Sequence, residues 1–312
     1  MDINVIPGDR GQVTIFTNSG TQLVGSQAAQ LSFDAVGTMT PQSLWNANPA
    51  LRGVGTITLI PPAGTPVDLI QNRAIRSGTI AAYLQMRDQD LVQAQTQLDA
   101  LAAAMAQALS NKTIASTPVN PAPQAGFDID TAGLLAGNTI TINYTDTATN
   151  TPHIITLVRV DDPSALPLPN TATPTANDTV FGIDFSGGMA SVITQINTAL
   201  TGTGMTASNP AGTTLEILDD GLADTVNVDG LSAVATQTSL AGGSAEFPLF
   251  TDGSAPYTGA ITGTGSQLTG LAARIAVNPL VAADPSNLII YQPGTPAGDS
   301  TRPDFIYQQL TA

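Results

Sequence analysis

Four aspartates, Asp219, Asp220, Asp224 and Asp229, lie close together and offer the oxygen ligands that calcium prefers. The closing bidentate glutamate of a calcium loop is missing, so the run reads as a turn and strand edge with solvated carboxylates. Asp161-Asp162 reads the same way. His153, the single histidine, begins an extended run after Pro152 and reads as a surface or core residue. One imidazole excludes a multi-histidine metal centre and argues against imidazole catalysis. Gly263-Thr264-Gly265 with Gly270 has the wrong spacing for a nucleotide loop, and no strand–helix frame surrounds it. No Gly-x-Ser-x-Gly elbow prepares a serine nucleophile. Glu216 and Glu246, the only glutamates, make a poor glycosidase pair. The expectation is a non-enzyme with no catalytic, cofactor-binding or metal-binding residues.

Composition points the same way. The 312 residues contain no cysteine, which removes disulfides, thiolate nucleophiles and Cys-ligated zinc together. A formal charge of −15, with Lys112 the only lysine, argues against a nucleic-acid backbone binder and against anionic membrane surfaces. Aromatic residues are 4% of the chain, which leaves no obvious stacking platform for bases or sugars. No window reaches the roughly 18 apolar residues of a membrane span. The start, Met1-Asp2-Ile3-Asn4, has neither the basic beginning nor the apolar core of a cleaved signal peptide. Hydrophobic residues at 42% are enough for a packed interior.

The elements follow from local pattern. Gln12-Val13-Thr14-Ile15-Phe16-Thr17 alternates as a half-buried strand; Asn18-Ser19-Gly20 turns it into Thr21-Gln22-Leu23-Val24, a hairpin. Gly55 to Ile60 reads as a further strand stopped by Pro61-Pro62, and Trp45 as a partly buried anchor in the loop between. From Gly78 to Ser110 proline and glycine vanish after the first residue and helix formers take over. Leu84, Leu91, Leu98 and Met105 recur every seven residues. Ile80, Ala94, Leu101 and Ala108 fill the interleaved row, which Arg87 interrupts. At about 1.5 Å per residue the rod is on the order of 45 Å long and wants a helical partner. No second helix of that length is legible, so Leu84, Leu91, Leu98, Leu101 and Met105 become the helix-packing candidates. Packing of this seam on the chain's own hairpins is the equally weighted alternative.

Ser116 to Ala125 reads as a linker. Beyond it the pattern is ββαββ: strands at 139–144 and 153–158, a proline-rich excursion, a helix at 188–200, and strands at 205–208 and 214–218. A short strand at Ile275-Ala276-Val277 and a helix beginning near Thr301 complete the chain, and both ends read as internal boundaries of a longer protein. The expected fold is α+β, β-rich and multidomain. Residues 1–126 with 246–312 form a discontinuous β-rich domain whose long α-helix, about 78–110, packs with β-hairpins. Residues 127–245 form an inserted ββαββ outer domain.

Four stretches together resemble a known family. They are Val13 to Val24; Ser77-Gly78 leading through Met86-Arg87-Asp88-Gln89 to Gln97-Leu98-Asp99-Ala100-Leu101-Ala102; Ile275 to Pro279; and Gly298-Asp299-Ser300-Thr301-Arg302-Pro303. Their order and content are similar to the first flagellar hook-associated protein, the FlgK type that joins hook to filament. The Arg-Asp-Gln stretch and its Gln-Leu-Asp-x-Leu-Ala continuation are the most specific part, and the insert is similar in style to flagellin outer domains. The resemblance implies an extracellular structural protein, exported unfolded through the flagellar type III channel with an export chaperone. It implies self-association in a ring, with hook protein on one side and the next hook-associated protein or flagellin on the other. It also implies terminal helices that pack together; those helices are not in this sequence, so residues 1–312 are expected to be monomeric. Two other readings are a filament component such as flagellin and a surface adhesin or carbohydrate-binding module. Arg87-Asp88 and Thr301-Arg302-Pro303 favour the junction protein over the first, and the low aromatic content speaks against the second.

Overall fold

The computed structural model describes residues 3–18, 20–61 and 65–311; Met1 and Asp2, Ser19 of the expected hairpin turn and Pro62 of the expected strand stop lie outside them. The chain divides into two compact units, 1–99 and 100–312. It is mixed α+β and β-rich, with one long helix and several sheets.

In the first unit, β1 (Ile3–Pro7), β2 (Val13–Thr17) and β3 (Gln22–Val24) form an antiparallel sheet in sequence order. The expected hairpin is β2–β3. A second sheet joins β4 (Gln30–Phe33), β5 (Ile57–Ile60) and β6 (Val67–Asp68). The buried core is small: Leu59, Leu69 and Ala74, backed by Leu23, Ile57 and Ile75. Polar bonds reinforce it. Asp68 accepts from the Thr56 hydroxyl at 2.7 Å, from the Gln71 amide at 2.9 Å and from Arg52 at 2.8 Å. Burial alone would raise the Asp68 pKa, but those bonds together hold it below the usual carboxylate value. Trp45 is half-buried, its indole N–H enclosed without a partner and its ring 5.6 Å from the Arg52 guanidinium carbon.

The expected long helix is present as α1 (Gly78–Gln85), a π-turn (Met86–Asp90) and α2 (Leu91–Ser110). The π-turn holds the Met86-Arg87-Asp88-Gln89 stretch. Arg87, the residue that interrupts the apolar row, donates to the Gly55 carbonyl at 2.9 Å and to its neighbour Asp88 at 2.6 Å. The close approach explains the glycine: a Cβ on Gly55 would lie 1.6 Å from the Asp34 carbonyl oxygen.

The second unit begins inside α2 and continues through β7 (Asn111–Ala115), β8 (Thr117–Val119), β9 (Gly126–Asp130), β10 (Thr139–Asp146), β11 (Thr151–Val160) and β12 (Thr179–Asp184). Then come α3 (Met189–Ala199), β13 (Thr206–Ser208), β14 (Thr214–Leu218) and β15 (Val226–Thr236). One sheet has the order β12-β11-β10-β15-β7, parallel only at β11–β12; the other is antiparallel, β13-β14-β9-β8. Ile142, Leu157, Leu215, Ile217 and Ile196 of α3 form the centre of a single apolar core. Two sequence expectations are corrected. The stretch read as a linker carries β8, because Thr and Val beside Pro118 can still pair through the edge of a sheet. The ββαββ reading also lacks β9, β12 and β15, whose apolar alternation is broken by Gly182 and by Asp229-Gly230.

Gly182 has a packing reason. The proline-rich segment between β11 and β12 lays Leu166 and Leu168 against it, where a Cβ would stand 2.3 Å from a Leu166 methyl. Beyond β15 come β16 (Phe250–Asp252), β17 (Ala255–Pro256), β18 (Ile261–Thr262), β19 (Gly265–Ser266) and β20 (Ile275–Val277), then α4 (Pro279–Ala283) and α5 (Thr301–Thr311). Arg302 of α5 is fully buried. Its Nε donates to the Ala245 carbonyl, its Nη1 to those of Leu240, Asn287 and Ile290, and its Nη2 to that of Ser244, at 2.8–3.2 Å.

Candidate functional site

The helix seam is where sequence pattern and structure meet most informatively. In α2 the face turned into the protein is alanine-rich: Ala102, Ala103, Ala106 and Leu109 are buried, with Asp99 and Ser110. Ala102, Ala103 and Ala106 pack with Tyr257 and Leu271. Small side chains let the helix lie close to those neighbours. The Gln95 amide donates to Asp99 at 2.8 Å, and the Ser110 hydroxyl to the Ala106 carbonyl at 2.8 Å.

The leucines lie elsewhere. At 3.6 residues per turn, Leu91, Leu98, Leu101 and Met105 form a stripe roughly a quarter turn round the axis from the alanine face. They remain 59%, 56%, 60% and 41% exposed. Leu84, on α1, is half-buried. The π-turn separates it from the other four and shifts the phase of the helix between them. The five candidates therefore form one row of four with Leu84 set apart. Ile80 and Tyr83 on α1 and Met86 at the start of the π-turn add exposed apolar area, and sequence periodicity singled out only the first of these.

The chemical candidates resolve into turn and packing roles. Asp219 accepts from the Ala125 and Gly221 amides, and Asp220 from the amide and hydroxyl of Thr225. The Thr225 hydroxyl, with burial opposing it, keeps the Asp220 pKa below the ordinary value. Asp229 accepts from the Thr145 hydroxyl at 2.6 Å, and Asp224 closes its turn in a left-handed conformation. Asp161 pairs with Arg159, and Asp162 accepts from the Ser164 and Gly263 amides. His153 stacks on Tyr144 across β10 and β11, with ring centroids 5.1 Å apart. Gly263 and Gly265 belong to the β18–β19 hairpin. Among the described residues no three acidic or histidine side chains gather as a metal site, and no helix is long and apolar enough to cross a membrane.

Sequence reasoning missed one group of exposed apolar residues. Ile3, Val5 and Ile6 of β1, and Leu31 and Phe33 of β4, are all more than half exposed. The alternation of a strand signals one buried face, but neither sheet of this unit has a deep layer over it.

No curated protein and no solved structure matches the chain. Residues 1–126 match the family profile described as "Flagellar hook-associated protein FlgK helical domain". That span holds the hairpin, the Arg87-Asp88 π-turn and the whole of α2, and so two of the four stretches on which the resemblance rests; Ile275 to Pro279 and Gly298 to Pro303 lie outside it. The family is one of structural flagellar proteins associated with the hook rather than of enzymes. By that match residues 1–126 are similar to the helical domain of FlgK-type flagellar hook-associated proteins.

Proposed function

We propose that the protein helps to form the junction between hook and filament, and that the outward stripe of α2 is where a helix from a neighbouring subunit packs. The observation that carries this reading is the division of labour on α2: alanines fill the chain's own core while Leu91, Leu98, Leu101 and Met105 stay outside. Covering the exposed half of each would contribute about 1 kcal/mol apiece, enough together to bias an assembly without holding a pair of free chains. Leu84 extends the contact on the far side of the π-turn.

The assembled form is a ring of copies, held outside the cell after type III export with a chaperone. It sits on hook protein and presents a lattice to the next hook-associated protein or flagellin. Residues 1–126 with 246–312 make the axial part and 127–245 the outer domain. Residues 1–312 alone are expected to be monomeric, which light scattering at micromolar concentration checks.

The test is complementation of a strain lacking the complete gene with an allele carrying L91Q, L98Q and L101Q. Bare hooks with flagellin shed into the medium are expected, together with normal secretion and an unchanged circular dichroism spectrum. Normal filaments from the triple variant would overturn the assigned packing surface. Normal filaments in the deletion strain itself would overturn the junction role.

A further inference from the structure

One row of side chains crosses the sheet β13-β14-β9-β8. Ser208 stands opposite Glu216, Glu216 opposite Asp128, and Asp128 opposite Thr117. The flanking residues on β9 and β14, Phe127, Ile129, Leu215 and Ile217, belong to the apolar core, so this row lies on the opposite face of the sheet. The Ser208 hydroxyl donates to Glu216 Oε1 at 2.7 Å. Asp128 Oδ1 is enclosed and has no hydrogen-bond donor. A buried carboxylate oxygen without a donor is costly, and a second carboxylate on the adjacent strand makes it more so.

The other charges near this row are accounted for. β8 and β13 contain no titratable side chain. Asp130, two residues along β9, accepts from the Thr213 hydroxyl and the Ala132 amide. Of the further strands touching β9, β15 brings Asp229, engaged by Thr145, and β7 brings Lys112. Glu216 is the charged group that acts on Asp128.

We infer that Asp128 and Glu216 hold one proton between them in mildly acidic solution, forming an acid-operated latch across the β9–β14 pairing. The proton is the donor that Asp128 Oδ1 lacks. Glu216 already accepts from the Ser208 hydroxyl while Asp128 Oδ1 is enclosed without a donor, so Asp128 carries the proton and Glu216 accepts the bond. Burial, and then the Glu216 charge, raise the Asp128 pKa in the folded chain. The folded state therefore binds the proton more tightly than the unfolded chain. The latch contributes its full stability below the unfolded value and loses it as pH rises through the folded one. This is opposite in sign to Asp130, Asp146 and Asp220, whose lowered values make acid destabilising.

The test is a carboxyl-carbon NMR titration of the whole 312-residue chain. Asp128 is expected to show an apparent midpoint above the ordinary aspartate value, and to fall back in E216Q. In thermal melts, D128N should unfold at a higher temperature than the parent at pH 7 and lose that advantage by pH 4. An Asp128 midpoint at or below the ordinary value would overturn the latch, as would a raised midpoint that E216Q leaves unmoved.

Discussion

Replacing Arg302 is the sharpest test of how the second unit is held together. Its guanidinium is fully buried and reaches five backbone carbonyls, those of Leu240, Ser244, Ala245, Asn287 and Ile290. It also lies 4.5 Å from the Phe247 ring centroid and 5.9 Å from that of Tyr291. Three carbonyls share the two hydrogens of Nη1, so the five contacts are not five full bonds. Burial draws the arginine pKa down, while Glu246 and Tyr291 pull it back. R302M keeps most of the volume and removes every donor. Carbonyls left dry cost about 1 kcal/mol or more each, which puts the loss near 5 kcal/mol, a large share of a domain's whole stability. R302K restores up to three donors and should lose about half as much. Urea unfolding followed by circular dichroism gives the totals. Hydrogen exchange on peptides 240–247 and 285–291 localises the loss. A loss under about 1 kcal/mol for R302M, or equal losses for the two variants, would refute the reasoning.

Three further outcomes follow from the first unit and α2. G55A forces a Cβ to within 1.6 Å of the Asp34 carbonyl and should cost about 3 kcal/mol in denaturant unfolding read by Trp45 fluorescence. D68N removes a carboxylate whose folded pKa lies below its unfolded one. Its contribution is present above about pH 4 and lost as pH falls through the folded value, so the variant should be less stable at pH 7 and show a flatter acid limb. L98Q alone should shift the stability of the isolated chain by less than about 0.5 kcal/mol, because the side chain is already 56% exposed.

The long helix was legible because thirty residues without proline leave little else possible, and β14 at 214–218 and α3 were legible because their periods are clean. What periodicity could not show was which face of α2 turns inward. Leucine outranks alanine on any hydrophobic scale, yet the chain buries Ala102, Ala103 and Ala106 because a close approach to Tyr257 and Leu271 leaves no room for larger side chains. β15 escaped notice because Asn227, Asp229 and Gly230 interrupt a strand whose register is supplied by β10 and β7 on either side. Nothing in the sequence marks Arg302, at the start of the last helix, as buried. Only the convergence of carbonyls from 240–245 and 287–290, distant in sequence from it, makes its burial tolerable. Heptad spacing could not reveal the π-turn that sets Leu84 apart from the rest of the leucine row.

The end of α2 has a mechanical consequence. Ser110 is the last helical residue and Asn111 the first of β7, so no loop intervenes. Helix ends normally leave carbonyls to solvent. Here the Leu109 carbonyl accepts from the Phe247 amide at 2.7 Å, and the Ser110 carbonyl accepts from the Gln237 amide at 2.7 Å. The helix is thus welded to the segment that leaves β15 as well as to the strand that follows it. A pull or twist applied along the last turn of α2 is shared at once between two chain segments of the β-domain. There is no slack for it to be absorbed, and the joint behaves as a stiff bracket rather than a swivel.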